Sequence, residues 1–321
     1  MIRLVVTRGH AYTHAAVLAD RRAPRLEILD YDRLLASRRV PRTTHVFADL
    51  DRLGAFDLEL AALVRRRLSR KGVRVLNDPA RAKTRFALLR ALHEAGLNDF
   101  NAYRVDERVR PSRYPVFLRR ERGHGRPLSD LIGDWDGVCR AVDRAVSRGI
   151  PESGLLIVEF AAEPVLPGLF RRLSMWRIGE RLVAAPIVHQ DGWLVKYGTL
   201  NAATPALYDE DLAIVRENPF EPALRKAFEI ADIEYGRADF GLVRGRPQVY
   251  EINTNPKIAP GAAHPSAVRM ESQRVAWERY LEALREVAVP VERRGSVSLH
   301  GRRLRAHRER WPFAPRTRRV P

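Results

Sequence analysis

The 321-residue sequence predicts a mixed α/β (α+β) chain: a small N-terminal α/β domain followed by two α+β subdomains. Three observations carry this expectation. Strand, helix, strand, strand, helix and strand patterns succeed one another within the first 80 residues. A run of short strands separated by turn signals fills "RRLSMWRIGERLVAAPIVHQDGWLVKYG" and reads as an antiparallel meander. Finally, "GRADFGLVRGRPQVYEINTNP", beginning at Gly236, reads as a hairpin with a chemically loaded face.

The elements follow in order. "IRLVV" (2–6) is an apolar strand leading into a helical pattern over Ala15 to Asp20. "RLEILDY" and "THVFAD" are further strands, a helix runs from about Phe56 to Arg70, and "GVRVLN" closes a unit at 1–76. "DPARAKTRFALLRALHEAGL" predicts a helix with Asp78 as N-cap, Pro79 at its first position and Gly96 at its end. "YPVFLRRERGHG" is a strand and loop, a helix covers Trp135 to Arg148, and "GLLIVEFAAEP" has the continuous apolar run of a central strand. These pieces bound a second unit at 77–160. The third, 161–290, holds the meander, a helix over Glu221 to Ile233, the hairpin and an amphipathic helix over 266–288 ended by Pro290. Residues 291–321 read as a basic, flexible tail.

Composition sets the outer limits. Hydrophobic residues at 45% and charged residues at 30% suit a globular protein. No apolar run approaches the roughly 18 residues of a membrane span, and "MIRLVVTRGH" has no signal-peptide organisation. A lone Cys139 excludes an internal disulfide and points to a cytoplasmic protein. Cys139 itself falls on the apolar side of its helix and reads as a small core hydrophobe. The net charge is +18, and only Lys71, Lys83, Lys196, Lys226 and Lys257 among the 57 basic residues are lysines. The tail carries ten Arg against two Glu, +8 of that total. A nucleic-acid role would need aromatics interleaved with this charge, and the tail offers only Trp311 and Phe313.

Alternation on the hairpin puts Arg237, Asp239, Gly241 and Val243 on one face of the first strand, and Val249, Glu251 and Asn253 on one face of the second. A three-residue loop at 244–246 sets Asp239 opposite Glu251 and Arg237 opposite Asn253. Opposed carboxylates repel unless a cation lies between them. Two carboxylates and an amide carbonyl are the hard oxygen donors that Mg²⁺ takes when phosphates complete its shell. The bland reading is a solvated acidic face. Against it, Phe240, Leu242, Tyr250 and Ile252 make the other face apolar, and "NTNP" is a rigid turn.

On these residues the chain resembles the ATP-grasp superfamily of the carboxylate–amine ligase type, which includes glutathione synthetase, ribosomal-protein glutamate ligases and D-alanine–D-alanine ligase. The resemblance covers about residues 72 to 288 and implies a fold in which two α+β subdomains clasp ATP. It implies Asp239, Glu251 and Asn253 as ligands of Mg²⁺ (or Mn²⁺), with Arg237 stabilising a negatively charged tetrahedral intermediate. Counting back eleven residues from Gly96, Arg85 stands where the family has a phosphate-binding lysine, with Lys83 nearby, and Arg119 replaces a second lysine. "LLIVEFAAEP" resembles the hinge strand whose backbone reads adenine, implicating Glu159, Phe160 and Ala161, with Glu163 toward the ribose. "WLVKYG" places Lys196 near the phosphates. Lys257 stands where the dipeptide ligases have a glycine, which speaks against a D-alanine substrate.

The implied chemistry activates a carboxylate as an acyl phosphate at the expense of ATP and couples it to an amine or similar nucleophile. The substrates are small-molecule or peptide carboxylates and amines, with no membrane and no nucleic-acid partner. Arginine keeps the lysine's charge at 85 and 119 but binds phosphate as a planar fork. The alternatives are a nucleotide-binding protein or kinase on the same fold without ligase activity, and a nucleic-acid-associated protein acting through the tail. His10 and His124 are helpers in the ligase reading and plain surface or packing residues otherwise.

Overall fold

The first strand, β1 (Ile2–Val6), buries Ile2, Leu4, Val5 and Val6, as a strand covered on both faces requires. The computed structural model describes residues 1–123, 125–289 and 295–309. After β1 come α1 (Ala15–Ala19), β2 (Leu26–Asp30), α2 (Tyr31–Ala36), β3 (Arg39–Pro41), β4 (Thr44–Phe47), α3 (Ala55–Arg70) and β5 (Val75–Leu76). Strands β2-β1-β4-β5 form a parallel sheet in that order. The order turns back between β1 and β4, so the carboxyl ends of those two strands flank a crevice, the usual ligand position in open parallel sheets. Helix α2 was not anticipated; Asp30 starts it by accepting from the Arg33 amide at 2.8 Å.

The helix expected from Asp78 begins later, as α4 (Arg85–Glu94), with Thr84 as its N-cap. Asp78 caps only a turn, accepting from the Ala80 amide at 3.0 Å. Between them Arg81 and Lys83 both pair with Asp232, at 2.9 and 3.2 Å, and hold the segment off the helix. β6 (Ala102–Arg104), β7 (Val116–Arg120), α5 (Trp135–Val146) and β8 (Leu155–Glu159) follow, with β8 central in an antiparallel β6-β8-β7 sheet. Helix α5 buries Val138, Ala141, Val142 and Ala145. Cys139 lies about 100° around from that stripe and is exposed, which corrects its assignment to the core.

Next come β9 (Pro164–Leu166), β10 (Leu169–Ile178), β11 (Arg181–Ala184), β12 (Val188–Asp191), α6 (Pro205–Glu217), α7 (Glu221–Ala231), β13 (Tyr235–Val243), β14 (Arg246–Asn253) and α8 (Ala267–Val287). The sheet order is β11-β10-β13-β14, and β9 and β12 pair with the first half of β10. "WLVKYG" is a loop rather than the expected strand. Gln190 holds it: its Oε1 accepts from the amides of Lys196, Tyr197 and Gly198 at 3.0, 3.0 and 3.1 Å.

The flexible tail expected from residue 291 is also corrected. β15 (Ser296–Ser298) pairs antiparallel with β3, and α9 (Arg302–Glu309) follows it. Val297, Leu299 and Leu304 are buried in the core that β1, α2 and α3 share, which is why this stretch folds back. Trp311, Phe313 and Pro290 lie outside the described residues. Among the described residues no helix is long and apolar enough to cross a membrane.

Candidate active site

Strands β13 and β14 pair as the sequence suggests: Asp239 lies opposite Glu251 and Arg237 opposite Asn253. The route to that register differs. The loop has two residues, Arg244 and Gly245, with φ of 50° and 73°, as in a primed turn. Val243 therefore pairs with Arg246, and a β-bulge between Phe240 and Asp239 restores the register. The bulge reverses two faces. Val249 joins Phe240 in the core, whereas Tyr250 turns to the Asp239 side and donates to the Ala161 carbonyl at 2.8 Å. Gly241 is the residue that admits it, since a Cβ there would collide with the Tyr250 hydroxyl.

Both carboxylates are dressed by arginines. Arg237 grips Asp239 with two bonds of 2.7 and 2.9 Å, Ser174 donates to the same carboxylate at 2.8 Å, and Arg172 stands 3.8 Å away. Burial would lower the Arg237 pKa, but the adjoining Asp239 holds it raised. Arg85 meets Glu251 at 2.7 Å and Arg119 at 3.9 Å, while Asn253 donates to Glu251 at 3.1 Å. Arg85 opens α4, and its Nη1 also donates to the carbonyls of Glu121 and Gly123 at 2.9 and 3.1 Å, tying down the loop after β7. Burial, then Arg85 beside it, pulls the Arg119 guanidinium down to about 10, against the opposing pull of Glu251.

Arg85 lines a smaller pocket, whereas Arg119, Arg172, Ser174, Arg237, Asp239, Glu251 and Asn253 line a cleft of about 740 Å³ that shares Glu251 and Asn253 with it. Its floor is one face of β10 (Phe170, Arg172, Ser174 and Trp176) together with Arg237, Asp239, Glu251 and Asn253. At one end Phe117, Phe160, Phe170 and Trp193 form an aromatic cluster, with Trp193 5.1 Å from Phe117 and 5.8 Å from Phe160 between ring centres. Lys196 and, from the loop after β1, His10 also line the cleft. The hinge residues Glu159, Phe160 and Ala161 all line it. The Phe160 amide donates to the Pro115 carbonyl, and the Ala161 carbonyl is taken by Tyr250. The Glu159 carboxylate is committed elsewhere, accepting from Asn101, Tyr103, Ser112 and Arg113. Burial would raise its pKa, but these donors together hold it lowered. Glu163 is exposed outside the cleft lining and accepts from the Arg244 amide at 2.9 Å, bracing the hairpin turn. His124 lies outside the described residues.

Among solved structures, the fold is similar to the D-Ala:D-Ser ligase VanG from Enterococcus faecalis at a TM-score of 0.51 and 12% identity, over 89% of this chain and 98% of that one. The chain has the ATP-grasp fold. Two further solved structures are similar at lower TM-scores: an ATP-complexed D-alanine–D-alanine ligase from Bacillus anthracis (TM-score 0.47, 13% identity, 89% and 99% covered) and a RimK domain ATP-grasp protein from Sphaerobacter thermophilus (0.46, 15%, 86% and 99%). No protein-family model and no curated protein matches the sequence. At such identities the likeness concerns the ATP-grasp fold alone.

Sequence reasoning missed Arg172, Ser174, Phe117, Phe170, Trp193 and Arg52, all of which line the cleft. For Arg172 and Ser174 a signal was present, because alternation along "FRRLSMW" puts Phe170, Arg172, Ser174 and Trp176 on one face. Arg52 reaches the cleft from β4's carboxyl end and had no such signal.

Proposed function

We propose that this chain is an ATP- and Mg²⁺-dependent ligase that activates a carboxylate as an acyl phosphate and joins it to an amine or similar nucleophile. One observation carries the reading: two opposed carboxylates lining a large cleft, flanked by Arg85, Arg119, Arg172 and Arg237. Such a site suits a polyphosphate and a cation together, because the guanidiniums exceed the carboxylates. The donor chemistry fits Mg²⁺ or Mn²⁺, with Asp239, Glu251 and Asn253 offering only oxygen ligands. Among the described residues no group of three or more His, Cys, Asp or Glu offers a competing metal site. The cation, when bound, offsets the charge on the phosphates.

The chain's own residues supply the rest. Phe117, Phe160 and Trp193 receive the base, alongside the backbone at Glu159, Phe160 and Ala161; Glu163 stays on the hairpin turn. Arg85, Arg119 and Lys196 hold the phosphates, the arginines by their planar forks. A substrate carboxylate oxygen attacks the γ-phosphorus, the bond to the ADP oxygen breaks, and an acyl phosphate forms. The amine then attacks the acyl carbon, loses a proton, and phosphate leaves. Arg237 faces the oxyanion of that step with the edge of its fork that Asp239 does not use. Positioning and charge neutralisation do the work, with no covalent nucleophile.

The test is a calorimetric titration with a non-hydrolysable ATP analogue, with and without Mg²⁺, on the wild type and Glu251→Gln. Micromolar binding that weakens roughly tenfold or more in both controls supports the reading. No binding by the wild type at modest salt sinks it. Binding without ADP release from any acid and amine pair leaves a nucleotide-binding protein on the same fold.

A further inference from the structure

The end of the cleft remote from the aromatic cluster is built by the N-terminal domain. Thr7, His10, Asp49 and Arg52 sit on the loops leaving β1 and β4, at the point where the parallel sheet turns back. Asp49 is a buried non-glycine residue at φ 60°, a costly conformation that tends to persist where function requires it. Its carboxylate accepts from the Thr7 amide at 3.0 Å, forms an ion pair with Arg52 Nε at 2.9 Å, and lies 3.7 Å from His10 Nδ1. The loop after β14 is stapled to this wall: Thr13 Oγ1 donates to Asn255 at 2.8 Å, the Ile258 amide donates to the Thr13 carbonyl at 2.9 Å, and the Leu50 amide donates to Thr254 at 2.9 Å. Arg52, His10 and Lys257 thereby line one fixed end of the cleft, with Arg172 on its floor.

The charge there is one-sided. The acidic residues lining the cleft are Glu159, Asp239 and Glu251, and each already carries an arginine: Arg113, Arg237 and Arg85. Among the described residues the N-terminal end presents cations and no acidic lining residue for a substrate ammonium to meet. Arg52, positioned by Asp49, and Lys257, on an exposed loop, therefore offer donors to a ligand anion and no acceptor to an ammonium.

Resting on the ligase reading, we infer that the crevice at the carboxyl ends of β1 and β4 binds a substrate with a second anionic group, a carboxylate or a phosphate, clamped by Arg52 and Lys257. The second group anchors the molecule while its first carboxylate reaches the γ-phosphate beside Arg172. Arg52 suits this because Asp49 fixes its Nε side and orients the fork.

The experiment uses the full chain with ATP and Mg²⁺, and hydroxylamine as a general nucleophile that converts an acyl phosphate to a hydroxamate. Matched acids are compared: butyrate with succinate, norvaline with glutamate, and serine with O-phosphoserine. The expected result is at least a tenfold higher kcat/KM for the doubly anionic member of a pair, the last pair separating phosphate from carboxylate. Arg52→Gln should cut that ratio at least tenfold with the KM for ATP unchanged. Lys257→Gln, at an exposed loop position, should lower it in the same direction and serves if losing the partner of Asp49 unfolds the first variant. Equal turnover of both members, or a ratio untouched by either variant, overturns the inference and leaves the ligase reading standing. Hydroxamate from none of the acids while the ATP analogue still binds also overturns it. Failure of the analogue to bind removes the ligase reading itself.

Discussion

Asp211 on α6 and His189 on β12 face each other at 3.6 Å, with Asp211 wholly buried and both its oxygens without a hydrogen-bond partner among the described residues. Burial pushes the Asp211 carboxyl up to about 7, against the pull of Arg269 and Arg171, and pulls His189 down to about 4. The signs oppose. Asp211 keeps its proton in the folded chain while the unfolded chain loses it, so its contribution to stability falls as pH rises from about 4 to about 7. His189 stays neutral when folded while the unfolded chain takes a proton, so its contribution falls as pH drops from about 6.5 to about 4. Between about pH 4 and 6.5 the two slopes, each ~1.4 kcal/mol per pH unit, cancel. Asp211→Asn should expose the histidine slope, and His189→Gln the opposite one, in urea midpoints measured across that range. Parallel wild-type and variant profiles would contradict this. Gly241→Ala is a second residue-scale case: its Cβ meets the rigid Tyr250 phenol, itself bonded to Ala161, and should cost ~1–3 kcal/mol in denaturant unfolding. Arg237, Asp239, Glu251 and Asn253 were legible in the sequence because 17 residues of one hairpin hold them all. Arg52 and Arg172 were not, since their approach to the cleft depends on packing between distant segments.

The hairpin shows how an element can be read correctly through a wrong detail. A three-residue loop and a regular ladder give the same Asp239–Glu251 pairing as a two-residue loop plus one bulged residue, because the two differences cancel. Alternation then misplaced Val249 and Tyr250, as period-two reasoning must beyond a bulge. The helix start at Thr84 was missed for a related reason: Asp78–Pro79 is a good local start signal, but pairing of Arg81 and Lys83 to Asp232 overrides it. The turn itself is testable. Arg244 adopts φ 50° where Asn is favoured, and its side chain, 78% exposed, gains little from Asp99 at 4.0 Å. Arg244→Asn should therefore stabilise the chain by about 0.5–1 kcal/mol, read as a higher urea midpoint with an unchanged m-value. The loop carrying Lys196 supplies a functional counterpart. Gln190→Ala removes the acceptor for three consecutive amides and should raise the dissociation constant for the ATP analogue several-fold. An unchanged constant would mean that the loop does not hold phosphate.

Across the whole molecule, the cores do not follow the sequence boundaries at 76 and 160. One buried cluster joins Val5, Leu34 and Leu60 of the N-terminal domain to Leu173, Phe228 and Phe240 of the last subdomain, and another joins Leu4 and Val46 to Trp176 and, on α8, Tyr280. One face of the central sheet packs on α5 in a separate cluster, Val116, Leu118, Val138 and Ile157, and the other, Ala102, Leu156 and Val158, packs with Leu89 of α4 and against Tyr250. The first and last units therefore form one cooperative body, and the cleft lies between that body and the central subdomain. β15 and α9 belong to the larger body, since Val297, Leu299 and Leu304 complete the first cluster. Burying three such side chains contributes several kcal/mol, at about 1.5–3 kcal/mol each as an upper figure. A chain ending at Val289 should lose at least ~3 kcal/mol, with unfolding of the N-terminal sheet and of the β10–β14 sheet advancing together in hydrogen exchange while the protection of β7 and β8 changes least. Its affinity for the ATP analogue at low temperature should persist, because none of the three residues lines the cleft. Were β1 and β4 alone to lose protection, the shared core would not be cooperative, and the N-terminal domain would have to be treated as an independent unit hinged on α8.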